Sequence, residues 1–171
     1  MPLIRSARMA FALVALACAG LLGFGYFLQY VRGLEPCPLC LVQRGFFYGV
    51  MAVAAVAAIH GPARLGTRLY AAGMLLFAVG GTAAAGRQVW LQHLPADKVP
   101  QCGPDLKFML ENFPLSRTLE KLIQGTGECA LVDWTFLKLS IAEWSLLWFA
   151  GFCAYAAWLA ARGFRALATA S

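Results

Sequence analysis

The fold class this 171-residue chain predicts is an all-α membrane protein, four transmembrane helices packed as a bundle. Three observations predict it. Hydrophobic residues make up 61% and charged residues only 13%, where a soluble domain carries about 25% charge. Charged side chains divide the chain into four uncharged runs, residues 9–31, 45–63, 69–86 and 144–161, each near the roughly 20 residues of helix that cross a hydrocarbon core. The runs are rich in Ala, Leu, Val, Phe and Gly. In lipid they must be helical, because every backbone donor and acceptor has to be satisfied within the segment.

Residues 1–171 read as one membrane domain with spans at about 10–30, 42–61, 68–87 and 142–161 and outer loops at about 31–43 and 88–141. Arg5 and Arg8 followed by an apolar stretch superficially fit a signal peptide. The run nevertheless continues through Tyr30, too long for a cleaved segment, and its removal leaves an odd number of spans, so it is read as the first span. Gly20, Gly23, Gly25, Gly73, Gly80 and Gly81 let neighbouring helix backbones approach closely. Six arginines, Arg5, Arg8, Arg64, Arg68, Arg162 and Arg165, lie at the two termini and between spans two and three, with no acid among them. They mark the cytoplasmic side. The other eight basic and all eight acidic residues fall in the two remaining loops or at their borders, so the net charge of +6 resides on the cytoplasmic face. The high pI then needs no nucleic-acid partner. Both termini are cytoplasmic, and all four loop cysteines lie on the oxidising side.

The first outer loop carries Cys37-Pro38-Leu39-Cys40, with Arg44 one helical turn later. Pro36 and Pro38 halt helix propagation and restrict the backbone on either side of Cys37. A span beginning near residues 39–41 leaves Cys40 at a helix N-terminus, where free amides and the dipole favour a thiolate. Arg44, four residues on, shares its helix face and can bring a guanidinium toward the sulfur. The plainer role for Arg44 is a headgroup anchor. Cys18 and Cys153 fall inside spans and read as small buried apolar side chains.

The long loop closes at Ser140, a candidate N-cap with Glu143 in capping-box spacing. Prolines and glycines break the loop into short pieces. Leu115, Leu119, Leu122 and Ile123 recur at helical spacing opposite Arg117, Glu120 and Lys121, predicting a short amphipathic helix on the membrane surface or buried within the loop. Cys102 and Cys129 flank it. A bond between them serves either as a structural staple or as a redox group open to a soluble partner.

Zinc is excluded, because only Cys37 and Cys40 have close ligand spacing. His60 and His93 belong to loops on opposite sides, which argues against haem. A glycine-rich nucleotide fingerprint is absent from the sequence. The helical spans around Cys37 and Cys40 also differ from the βαβ context of a thioredoxin-like enzyme. Electrons arriving at these thiols need an acceptor that lives in lipid, and a quinone is the natural candidate.

Residues 34–40, Leu-Glu-Pro-Cys-Pro-Leu-Cys, with Arg44, then Cys102 after the third span and Gly127-Glu128-Cys129 followed by Trp134, Phe136 and Leu137, carry a resemblance over nearly the whole chain. The chain resembles the bacterial disulfide bond formation protein B (DsbB) family, quinone-dependent inner-membrane oxidases of the periplasmic dithiol oxidase DsbA. The resemblance implies disulfides Cys37–Cys40 and Cys102–Cys129, a DsbA-like partner that attacks Cys102, and Cys129 exchanging with Cys37 to release Cys40 toward the quinone. It further implies that Arg44 stabilises negative charge there, with ubiquinone the first choice of quinone and menaquinone the alternative. Some family members have a histidine near the outer end of the third span that is associated with the quinone pocket. This chain offers Arg87 and Gln88 at that place. Two other readings of the residues are a thiol reductase with reversed electron flow and a non-catalytic membrane scaffold held by structural disulfides.

Overall fold

The computed structural model describes residues 7–99, 114, 125 and 127–168, with long helices α1 (Ala7–Arg32), α2 (Pro38–His60), α3 (Arg64–Gln92) and α4 (Ile141–Ala168). All four are long and apolar enough to cross a membrane. The helices do not stop at charge: α2 takes in Arg44, and α3 takes in Arg64, Arg68 and Arg87. Arginine is a good helix former, and its long stem lets the head reach the interface from inside a span.

Local chemistry sets the ends. Gly33 (φ 68°) and Gly61 (φ 61°) adopt the left-handed conformation after α1 and α2, which a side chain resists. The Gly61 amide returns to the Ala57 carbonyl at 2.9 Å, and that of Leu34 to the Leu28 carbonyl at 3.2 Å. At the start of α2, Cys37 is the N-cap and Pro38 occupies the first helical position, where its missing N–H costs nothing. At α4 the Ser140 amide donates to Glu143 Oε2 at 2.7 Å and the Glu143 amide to Ser140 Oγ at 3.2 Å. This is the reciprocal capping box the spacing predicts.

Residues 33–37 join α1 to α2 and residues 61–63 join α2 to α3; connections this short make consecutive helices antiparallel. The extensive pairings are α1 with α2, α2 with α3 and α3 with α4. Their shared core includes Phe11, Cys18, Val50, Met74 and Phe149. Phe149 stacks on Phe47 with ring centroids 4.1 Å apart, and it approaches Gly81 so closely that a Cβ there would lie 2.3 Å from the ring. Leu16, Ile59 and Leu76 project outward, each more than two-thirds exposed. That surface suits acyl chains rather than water.

The described part of the long loop holds a 3-10 turn at Ala96–Lys98, another at Gly127–Ala130, and a hairpin of β1 (Thr135–Phe136) and β2 (Leu139–Ser140). Thr135 faces Ser140 and Phe136 faces Leu139. This short hairpin is an addition to the all-α reading. Leu137 (φ 52°) and Lys138 (φ 67°) form its two-residue turn, the backbone of a type I′ turn without the Asn-Gly that usually announces one. Trp144 Nε1 donates to the Phe136 carbonyl at 3.1 Å and ties the hairpin to α4. Trp134 meets Phe24 of α1 edge-on at 5.6 Å. The amphipathic helix expected around Leu115, Leu119, Leu122 and Ile123 lies outside the described residues.

Candidate functional site

Because consecutive helices alternate in direction, the start of α2, the end of α3 and the start of α4 gather at one end of the bundle. Cys37 and Cys40 are therefore set beside the last turns of α3. The two sulfurs are 2.8 Å apart, and the Cys40 amide points at Cys37 Sγ at 3.3 Å. Pro38 and Leu39 between them are both buried. The proline fixes the backbone and the leucine plugs it into the protein.

Cys129 arrives from the long loop. Gly125, at φ 75°, passes so close to Leu39 and Leu91 that a Cβ would lie 2.8 and 2.7 Å from their side chains. This approach seats the Gly127–Ala130 turn on those two leucines and buries Cys129 completely. Cys37 packs against the buried Cys129. That contact, the neighbouring Cys40 sulfur and burial together push the Cys37 thiol well above its ordinary pKa. Cys37 thus lies between two other sulfurs. Cys102 lies outside the described residues.

Gln88, in the last turns of α3, is the polar group nearest the pair. Its Nε2 lies 3.4 Å from Cys37 Sγ and 3.3 Å from Cys40 Sγ. Gln43 Nε2 in turn donates to Gln88 Oε1 at 2.6 Å. Arg87, one position earlier, turns elsewhere: its guanidinium lies 4.3 Å from the centre of the Trp90 ring.

Arg44 shares the helix face of Cys40, but the contacts of its guanidinium run to α1. It donates to Gln29 Oε1 at 2.5 Å and to the Gly25 carbonyl at 3.1 Å, and it lies 4.8 Å from the centre of the Tyr26 ring. A planar fork with an aromatic under it is satisfied best by such a combination. Cys40 and Arg44 meet as two walls of one cavity, of about 630 Å³, together with Gln88, Gln92 and Ser145.

The cavity shares Leu21, Gly25, Phe47 and Ile141 with a second, almost wholly apolar one of about 510 Å³, bounded by Phe24 of α1 and Trp144 and Trp148 of α4. The site is thus a polar head space against the cysteines that continues as an apolar groove between α1 and α4. That division fits a ring with polar oxygens and a hydrocarbon tail.

Gln43 and Gln29 escape a search guided by charged residues and cysteines. The available signal is an amide side chain inside an otherwise apolar segment, where a polar group has to find a partner.

The model of the family "Disulfide bond formation protein DsbB" matches residues 7–159. A disulfide bond formation protein B of Hahella chejuensis is 52% identical over 154 residues, 90% of this chain and 93% of that protein. One from Methylococcus capsulatus is 51% identical over 150 residues, 88% and 92% of the two chains. The disulfide bond formation protein B 1 of Pseudomonas aeruginosa is 44% identical over 155 residues, 91% and 94%. No solved structure matches the chain.

Proposed function

The chain belongs to the DsbB family of disulfide bond formation proteins, and we propose that it reoxidises a DsbA-like periplasmic dithiol oxidase and passes the electrons to membrane quinone. The observation that carries this reading is that Cys37 and Cys40 line the head of a cavity that opens into an apolar groove, with the buried Cys129 packed behind Cys37. A protein thiol reaches such a site from the aqueous side and a lipid-soluble acceptor from the other. The bias of arginine toward the opposite end of the bundle supports a periplasmic position for the cysteines and the bacterial inner membrane as the location.

The sequence of exchanges is the one the family resemblance implies, and the packing of Cys37 beside Cys40 and Cys129 supports its inner step. A thiolate of the reduced partner attacks Cys102 of the Cys102–Cys129 bond, forms a mixed disulfide and releases Cys129 as a thiolate. Cys129 attacks Cys37, breaking Cys37–Cys40 and releasing Cys40 as a thiolate. The partner's second thiol displaces Cys102, and the partner leaves oxidised. Cys102 then attacks Cys129 in the Cys37–Cys129 bond, which restores the loop disulfide and frees Cys37. Cys37 and Cys40 rejoin as a disulfide and give up two electrons and two protons. Quinone, when bound, supplies the two-electron, two-proton sink, so the net reaction is partner dithiol plus quinone to partner disulfide plus quinol. Gln88 donates to the departing sulfur, and Arg44 holds α1 against the cavity wall and adds positive charge there.

Purified protein in lipid nanodiscs, given reduced partner and ubiquinone or menaquinone, converts quinone to quinol in a stoichiometry of one per partner disulfide. Cys40→Ser leaves Cys37 without a disulfide partner for Cys129 to attack and abolishes that conversion. Quinone turnover retained by the variant sinks the assignment of the inner pair.

A further inference from the structure

Gln43 and Gln88 are both amides buried to 3% and 4% exposure, one on α2 and one on α3. A buried amide has a donor end and an acceptor end, and either one left unpaired is costly. Gln43 Nε2 holds Gln88 Oε1 at 2.6 Å, which turns the Gln88 NH₂ group toward the sulfurs. Yet the Gln88 Oε1 is itself only 3.6 Å from Cys40 Sγ, against 3.3 Å for Nε2. Both ends of one amide are within reach of one sulfur, and the partner amide decides which end faces it.

We propose that Gln43 is a positioning residue that sets the polarity Gln88 presents to Cys40, and that the two amides turn over together as Cys40 changes between thiolate and thiol. In the arrangement seen, Gln88 donates N–H to the sulfur, which suits a thiolate or a disulfide sulfur. With both amides rotated by half a turn, Gln88 Nε2 donates to Gln43 Oε1, and Gln88 Oε1 accepts the S–H proton. Each arrangement keeps one amide–amide hydrogen bond and one between Gln88 and Cys40, the turned one giving up the Gln88 contact to Cys37, and the amide O and NH₂ groups are nearly equal in size. A neutral pair can thereby follow the charge on sulfur without placing a second buried ion beside it, which is costly in a low-dielectric setting. The inference rests on Cys40 being the thiolate released toward the acceptor cavity.

The test uses the fully reduced, full-length protein in nanodiscs with neither quinone nor partner present. The pH dependence of iodoacetamide labelling is followed at Cys40 by fragment-resolved mass spectrometry. Gln43→Met, close in size but without a donor, lowers the Cys40 labelling rate at neutral pH by about tenfold, the effect of moving the titration midpoint up by one unit. Gln43→Glu, which keeps the contact but accepts from Gln88 when ionised, lowers it further. Gln88→Met lowers it as well, and adding Gln43→Met to that background changes nothing more. Equal effects of Gln43→Met in both backgrounds, or no effect in either, overturn the proposal. Because the measurement needs no quinone, its failure leaves the oxidase reading standing, and failure of quinone reduction leaves the amide coupling measurable.

Discussion

Replacing Arg44 by lysine separates charge from geometry at the cavity wall. The guanidinium makes two hydrogen bonds to α1, at 2.5 Å to Gln29 and 3.1 Å to Gly25, and covers the Tyr26 ring at 4.8 Å. Lysine keeps the positive charge but is a point donor on a flexible stem and cannot hold all three at once. Losing one charge-assisted hydrogen bond costs about 1.5–3 kcal/mol. At about 1.4 kcal/mol per tenfold, the cost corresponds to a rise of roughly 10- to 150-fold in quinone KM if the wall must be rebuilt on binding. The assay titrates quinone at saturating reduced partner, then partner at saturating quinone, and follows quinone absorbance. Partner KM should stay within about twofold, because the hydrogen bonds and ring contact of Arg44 run to α1. An unchanged quinone KM, or equal losses in both titrations, refutes the assignment of Arg44 to the acceptor cavity. Arg44→His, too short to reach both α1 acceptors, should behave as the lysine variant does or worse.

Gly81→Ala places a methyl 2.3 Å from a fully buried phenylalanine ring that is itself stacked on Phe47; such overpacking costs about 1–3 kcal/mol, visible as a lower Tm in nanodiscs with activity per folded molecule retained. The Cys37 thiol, raised above its ordinary value of 9.0 by Cys129, then Cys40, then burial, stays protonated where an unfolded cysteine ionises. Stability from this group in the reduced protein is therefore full below about pH 9 and falls as pH rises toward the higher folded value. Cys129→Ala removes the largest cause, so labelling of Cys37 at pH 9 should become faster; an unchanged rate dismisses the contact. Lys138→Gly relieves a non-glycine residue held at φ 67° and should stabilise the hairpin by up to about 1 kcal/mol, read as slower amide exchange at Leu139; no change means that position is unstrained.

Much of the fold was legible because membrane helices obey a single strong constraint. Four uncharged runs mark four helices, and Ser140 with Glu143 marks the start of α4 three residues before its uncharged run. Helix ends were less legible, since arginines sit inside α2 and α3 rather than outside them. The hairpin at Leu137 and Lys138 carries no turn signature, and its geometry is held by the ring contact of Trp134 to Phe24 of α1, distant in sequence, and by the hydrogen bond from Trp144 of α4 to Phe136. At the site, Cys37, Cys40 and Cys129 were recognisable as cysteines outside the spans. The face each presents was not. The i, i+4 spacing puts Arg44 beside Cys40, yet Gln29, Gly25 and Tyr26 on another helix draw the guanidinium away.

The sequence by itself determined what depends on counting and periodicity: four apolar helices, a cysteine pair at the start of the second, and an excess of arginine away from it. These properties follow from the cost of polar backbone and charge in lipid, which acts on each segment separately. Only the tertiary structure decided that Cys129 docks on Cys37 through Leu39 and Leu91, that Gln43 aims Gln88 at the sulfurs, and that α1 and α4 stand apart around a cavity. Those are choices among partners on different helices, made by shape and by the need to pair every buried polar group, and a one-dimensional pattern does not specify them.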